Sequence, residues 1–199
     1  MAGAHEQLER AEHAEHAAHG HGPSSTNKRI ALLIAILALF LAISETLGKG
    51  AQTEALNYNV EASNLWAFFQ AKTIRQTAVR TAAETVELTR PQVTDPAVAK
   101  RLDTWAKTVA RWETEPETQE GRKELAVRAK QAETKRDTSL ARYHHYEVAS
   151  AAFQIAIVLA SAAVITSAMV LAFVAIGLGA VGLVFTAIGL LAPHSVHLF

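Results

Sequence analysis

The chain alternates between strongly apolar blocks and one long mixed stretch. Ile30 to Leu47 reads IALLIAILALFLAISETL, and Glu45 is its only charge. About 20 apolar residues cross a bilayer core, so the block predicts a first transmembrane helix over 28–48. Lys28 and Arg29 stand at its start, where cations meet headgroups. Within it Ala31, Ala35, Ala38 and Ala42 recur at steps of four and three, which keeps them on one helix face. Such a stripe is the usual contact between membrane helices, and Glu45 is its next position. Two further apolar blocks close the chain, over 149–168 and 170–192. Each has its own stripe: Ala152, Ala156, Ala160, Ala163 and Ser167, then Ala172, Ala175, Gly179, Gly182, Thr186 and Gly189. Gly179 and Gly182 are the candidate helix-packing residues. The link between these blocks has almost no polar residues, which predicts a tight hairpin.

The mixed stretch, 49–148, shows helical periodicity. Gly48, Lys49 and Gly50 predict a kink or short break after the first span. Ala55, Tyr58, Ala62, Leu65, Phe69, Val79, Ala83 and Val86 then lie on one heptad face, interrupted by Lys72 and Gln76. Trp66, Phe68 and Phe69 add a large apolar payload. Pro91 ends this helix, and Asp95 with Pro96 starts another as N-cap and first-turn residues. Val98, Leu102, Trp105, Val109 and Trp112 form the cleanest amphipathic stripe in the chain, and Trp105 and Trp112 need a partner surface. The acidic segment ETEPETQEG (113–121) lacks the ligand pattern of a calcium hand, and Thr114 with Glu117 has capping-box spacing. The following helix shows Leu125, Ala129, Ala132, Leu140 and Tyr143 on its apolar side. Tyr143, His144, His145 and Tyr146 read as an interfacial aromatic belt before the second span.

Lengths constrain the arrangement. Three helices stacked up, down and up would leave the chain far from the membrane it must re-enter. The first and third helices of the stretch reach about 50 Å each and the middle one about 25 Å. The expected fold is therefore all-α: three transmembrane helices plus a long helical hairpin, coiled-coil-like, with a short cross helix lying across its tip or folded back. Residues 1–27 and 193–199 are tails. In the first tail Glu9, His13 and His16 share a helical face and are weak candidates for a metal site.

The 199 residues carry 19 basic and 19 acidic side chains, a balance that speaks against a nucleic-acid partner. There is no cysteine, which removes disulfides, thiolate metal sites and a Cys nucleophile. No glycine-rich phosphate loop, zinc-protease helix or nucleophile elbow occurs, and no spacing links Ser, His and Asp. An enzyme is not expected, and no cofactor is implied. Glu45 is the sharpest single residue, because a carboxylate inside a span is costly and by default functional. Near the span's end it could also pair with Lys49 or reach interfacial water.

Three stretches carry a resemblance: AQTEALNYNVEASNLWAFFQAKTIRQT (51–77), EPETQEGRKELAVRAK (115–130) and YHHYEVASAAFQIAIVLAS (143–161). They resemble an uncharacterised bacterial membrane-protein family, the domain of unknown function DUF4337, and the likeness runs from about Glu9 onward. It implies a bacterial inner-membrane protein of this three-span plan and supplies no reaction, cofactor or catalytic residue. The leading expectation is a homo-oligomeric membrane scaffold in the lipid bilayer, with its N-terminus cytoplasmic. The alternatives are a small ion or proton channel using Glu45, a metal-responsive accessory protein, or a chain that awaits another membrane protein.

Overall fold

The computed structural model describes residues 25–89 and 95–195. The tail candidates Glu9, His13 and His16 lie outside the described residues. Among the described residues four helices follow one another, α1 Ser25–Thr89, α2 Pro96–Glu113, α3 Arg122–Thr166 and α4 Met169–Leu191, and there is no strand. The all-α class and the hairpin expected from the sequence are both present. Two compact units result. Of the described residues, one comprises 25–48 with His144–Ser195, and the other those between Lys49 and Tyr143.

α1 runs without a break, so the interruption expected at Gly48 to Gly50 does not occur. A mid-helix glycine costs only about 1 kcal/mol relative to alanine. Gly48 is buried, and a Cβ there would meet Tyr146 Cβ at an ordinary 3.4 Å. The half-buried and buried positions of α1 explain its continuity. In the first unit they include Ile30, Ile34, Leu37, Leu41, Ser44 and Gly48. In the second they include Ala51, Ala55, Tyr58, Ala62, Leu65, Phe69, Lys72, Gln76, Val79, Ala83 and Val86. The steps alternate between four and three throughout, a heptad register.

The first unit is a bundle of α1, α3 and α4. Its core is Ile30, Leu37, Ala149, Phe153, Ala156, Ala160, Ala163, Ala172 and Ala175. The α4 stripe is internal: Ala172, Ala175, Gly179, Gly182 and Gly189 are all buried. The α3 stripe is internal except for Ser167, which leaves the helix. Ser167 takes a left-handed φ of 55° in the short turn to α4, as the expected tight hairpin requires. The α1 stripe faces the other way. Ala31, Ala35, Ala38 and Ala42 are all exposed. In a block where nearly every residue is apolar, residue size alone does not select the packed face.

The second unit is a hairpin. α1 beyond Lys49 is about 60 Å long, α2 about 27 Å and α3 up to Tyr143 about 33 Å. α2 and α3 therefore match the length of α1 when placed end to end, and both run antiparallel to it. Val79 to Glu87 of α1 face Leu102 to Glu113 of α2, and lower on α1 Thr73, Trp66 and Glu54 meet Arg122, Glu133 and Ser139 of α3. The short helix thus folds back along α1 rather than lying across a tip between arms of equal length. Asp95 caps α2 as expected, its Oδ1 accepting from the Ala97 amide at 2.8 Å, with Pro96 in the first turn. The expected Thr114–Glu117 box is replaced. Glu124 accepts from the Thr114 hydroxyl at 2.6 Å and the Glu115 amide at 3.1 Å, which fixes the α2–α3 turn.

Candidate functional site

Three polar arrangements stand out against these apolar seams. In the first unit Ser44 is fully buried, with its Oγ 3.3 Å from Thr186 Oγ1. Thr186 gives its own proton to the Gly182 carbonyl at 2.9 Å, so Ser44 is the donor between them. His145 and Tyr146 are also buried, at 1% and 4% exposure. They serve the interior rather than the interfacial belt that their sequence position suggests. A Cβ on Gly189 would lie 2.9 Å from the Tyr146 ring, so this glycine makes room for the phenol. His145 Nε2 is 3.0 Å from the Pro193 carbonyl, which can only accept, so Nε2 carries the proton. Nδ1 is then a buried acceptor without a hydrogen-bond partner among the described residues. Such a group costs about 1–3 kcal/mol.

Glu45 is exposed on the outer side of α1, where its Oε1 accepts from exposed Gln154 Nε2 of α3 at 3.4 Å. It does not point into the bundle, whose centre is filled by Phe153, Leu37 and alanines. Gly179 and Gly182 are spent inside the chain. A Cβ on Gly179 would stand 2.7 Å from Leu37 Cδ2, and one on Gly182 would stand 2.8 Å from two ring carbons of Phe153. These glycines therefore do not offer a free surface to a second copy.

The third arrangement is a polar junction where α1, α2 and α3 meet. Lys72 and Gln76 occupy the heptad seam at 6% and 2% exposure. Lys72 Nζ donates to the Glu120 carbonyl and lies 3.7 Å from Glu115 and 5.0 Å from the Phe68 ring centre. Gln76 Nε2 donates to the Val109 carbonyl and to Glu113, at 3.2 and 3.1 Å. Arg122 completes the set by donating to Thr73, Gln76 and Glu113 at 2.7–2.9 Å, with its guanidinium 4.9 Å from the Phe69 ring centre. The Gln76 amide holds the Glu113 carboxyl below its usual range. Arg122 and Lys123 add to this, against the opposing pull of desolvation. Sequence periodicity flagged Lys72 and Gln76 only as interruptions. Their i,i+4 spacing inside an otherwise apolar heptad was the available signal, whereas Arg122 and Glu113 gave none.

Beside this junction α1 and α2 enclose an open groove of about 460 Å³, walled by Val79, Ala83, Leu102, Trp105 and Val109, with Arg80, Glu84 and Glu87 on its rim. Trp105 and Trp112 are half-buried, and no residue of α2 is fully buried. No group of three or more His, Asp or Glu side chains among the described residues could hold a metal ion.

Fold and sites together define an all-helical protein that has, among the described residues, three helices long and apolar enough to cross a membrane and a polar-stapled helical hairpin. The family model of a domain of unknown function (DUF4337) matches residues 26–192, and the chain belongs to that family. No curated protein and no solved structure matches it.

Proposed function

We propose that the chain is a non-enzymatic integral membrane scaffold that assembles with copies of itself, resident in a bacterial cytoplasmic membrane with Lys28 and Arg29 on the inner side. The observation that carries the membrane reading is the inverted surface of the three-helix unit. Leu32, Ile36, Leu39 and Ile43 of α1, Ile155 and Val158 of α3, and Phe173, Val174, Val181 and Val184 of α4 are all exposed. Water would not tolerate an apolar surface of this extent on a monomer, whereas lipid would cover it.

Self-assembly is supported by what the chain leaves uncovered. The α3 and α4 seams close internally, so the surfaces left for a second copy are the α1–α2 groove with Trp105 and the outer Ala35, Ala38 and Ala42 positions of α1. Native mass spectrometry of the full chain in detergent tests this. A single defined oligomer that dissociates on Leu102→Glu is expected. A monomer, or an oligomer indifferent to Leu102→Glu and Ala38→Leu together, overturns it and turns the search toward another membrane protein as partner.

The exposed Glu45–Gln154 pair supports the channel as a second reading. Conduction would run between copies past Glu45, because the interior of one bundle is filled. Reconstituted vesicles in which Glu45→Gln abolishes flux would favour it. Equal flux, or none in the parent, removes it.

A further inference from the structure

The first unit carries a cleft of about 540 Å³ between the start of α1 and the end of α3's apolar segment. Ala31, Ile34, Val164 and Ile165 line it together with Ser161, and Asn27 and Lys28 stand at its α1 end. Ala31 and Ser161, both small, are among the residues that line it. Lys28 is exposed and forms no ion pair or hydrogen bond with any described residue. Lys28 and Arg29 are the only lysine or arginine side chains among the described residues of this unit. Its only carboxylates there, Glu45 and Glu147, belong to the opposite end. Glu45 is about 25 Å along α1 from Lys28. Glu147 adjoins Tyr146, which packs against Gly48 and Gly189 at that far end. An apolar slot with a cation that no described residue opposes is complementary to a molecule with an acyl chain and a negative head. Basic pockets between membrane helices recognise anionic phospholipids in this way.

We propose that this cleft is a binding site for one anionic phospholipid, with an acyl chain along Ala31, Ile34, Val164 and Ile165 and the headgroup phosphate on Lys28. The site rests on the membrane reading above. Its occupant is a lipid rather than free phosphate, because the lining supplies apolar surface and only Lys28 supplies charge.

The test is native mass spectrometry of the full chain in detergent, with phosphatidylglycerol, phosphatidylcholine of the same chains, and inorganic phosphate added separately. One phosphatidylglycerol per chain is expected to be retained in preference to phosphatidylcholine, with no displacement by inorganic phosphate. Lys28→Gln should weaken retention about fivefold, the worth of one cation near an anionic surface. Val164→Trp should fill the slot and abolish retention of both lipids, and Lys49→Gln should leave it unchanged. Equal retention of the two lipids, or retention indifferent to both Lys28→Gln and Val164→Trp, overturns the site. So does displacement by inorganic phosphate, which would reduce it to an anion contact. Extraction separates the two failures. A chain that alkaline carbonate releases from membranes contradicts the membrane reading itself, whereas a firmly embedded chain with no lipid preference contradicts only the cleft.

Discussion

In the three-helix unit alanine and glycine sit at the helix contacts while leucine, isoleucine, valine and phenylalanine point away. In the hairpin the contacts combine alanines with Leu65, Leu125, Trp66 and Phe69, and the outer positions are mostly charged or polar. Both units use the same heptad register of α1. They differ in what surrounds them. Where the surroundings are apolar, large side chains gain nothing by going inside, and close approach of backbones through small residues decides the packing. Where the surroundings are water, burial of large apolar side chains drives the contact, at roughly 25 cal/mol per Å². The hairpin then adds an element absent from the bundle, a charged junction of Lys72, Glu113, Glu115 and Arg122 fixed by Gln76.

The largest effect should come from refilling the small-residue side of this contrast. Gly182→Leu brings side-chain atoms into the Phe153 ring, which is itself fully buried and has nowhere to move. A loss above the about 1–3 kcal/mol typical of an overpacked core is expected, read by thermal melting in detergent. Gly179→Leu should cost less, because it meets only the flexible end of Leu37. Both effects are intrachain, so neither substitution is a clean probe of oligomer contacts.

Adjacent positions of α1 sharpen the register. Leu37 is buried and Ala38 exposed. Leu37→Ala should destabilise the bundle by about 2–5 kcal/mol. Leu39→Ala, at an exposed position beside Ala35 and Ala42, should stay within about 0.5 kcal/mol in the same melt. Reversal of this order would place the alanine stripe inside.

In the hairpin Arg122→Met removes the donor to the Gln76 carbonyl and leaves Glu113 only its bond from the Gln76 amide, and a loss of about 1–3 kcal/mol is expected. Pairing it with Gln76→Leu and Glu113→Leu should recover part of that loss, because the amide and the carboxylate that Arg122 served are then gone as well. Chemical denaturation followed by Trp fluorescence would report both.

A smaller effect is that of pH. Glu113 is held below the usual carboxyl value of 4.5 chiefly by Gln76, Glu124 by the Thr114 hydroxyl, and Glu133 by the Trp66 indole N–H and Lys130. Carboxyls lowered by folding stabilise the fold fully above their unfolded value, and that contribution fades as pH falls through the folded ones. The melting temperature of the hairpin should therefore be flat above pH ~5 and decline below pH ~4.5. Trp66→Phe should make the decline shallower.

Much of this was legible in the sequence, for reasons specific to each element. The α2 boundaries follow from Asp95–Pro96 and the Val98–Trp112 stripe, because a cap and an amphipathic period are local signals. The α4 stripe was legible because glycine between leucines marks close approach. The α1 stripe pointed to the wrong face because alanine, leucine and isoleucine are equally apolar there. Carrying the heptad of Ala62 and Ala55 backward through Gly48 to Ser44 and Leu37 would have found the right one. The junction was only half visible. Lys72 and Gln76 break a pattern, but their partners Glu113 and Arg122 lie across turns whose geometry is set by Glu124. Gly121 is buried in that turn, where a Cβ would meet the Thr114 Cα at 2.7 Å, and no local sequence period announces such a contact.

The contrast between the units rests on different solvents acting on equally exposed side chains, and that is directly measurable. The chain has no cysteine, so single-cysteine variants report without background. Leu39 and Phe173 of the bundle are 60% and 68% exposed, and Ile74 and Val127 of the hairpin are 69% and 57%. In native membranes a water-soluble maleimide admitted to both faces should label Ile74→Cys and Val127→Cys rapidly and leave Leu39→Cys and Phe173→Cys unmodified until detergent and denaturant are added. Labelling of Leu39→Cys and Phe173→Cys at the rate of Ile74→Cys would contradict a lipid-covered bundle.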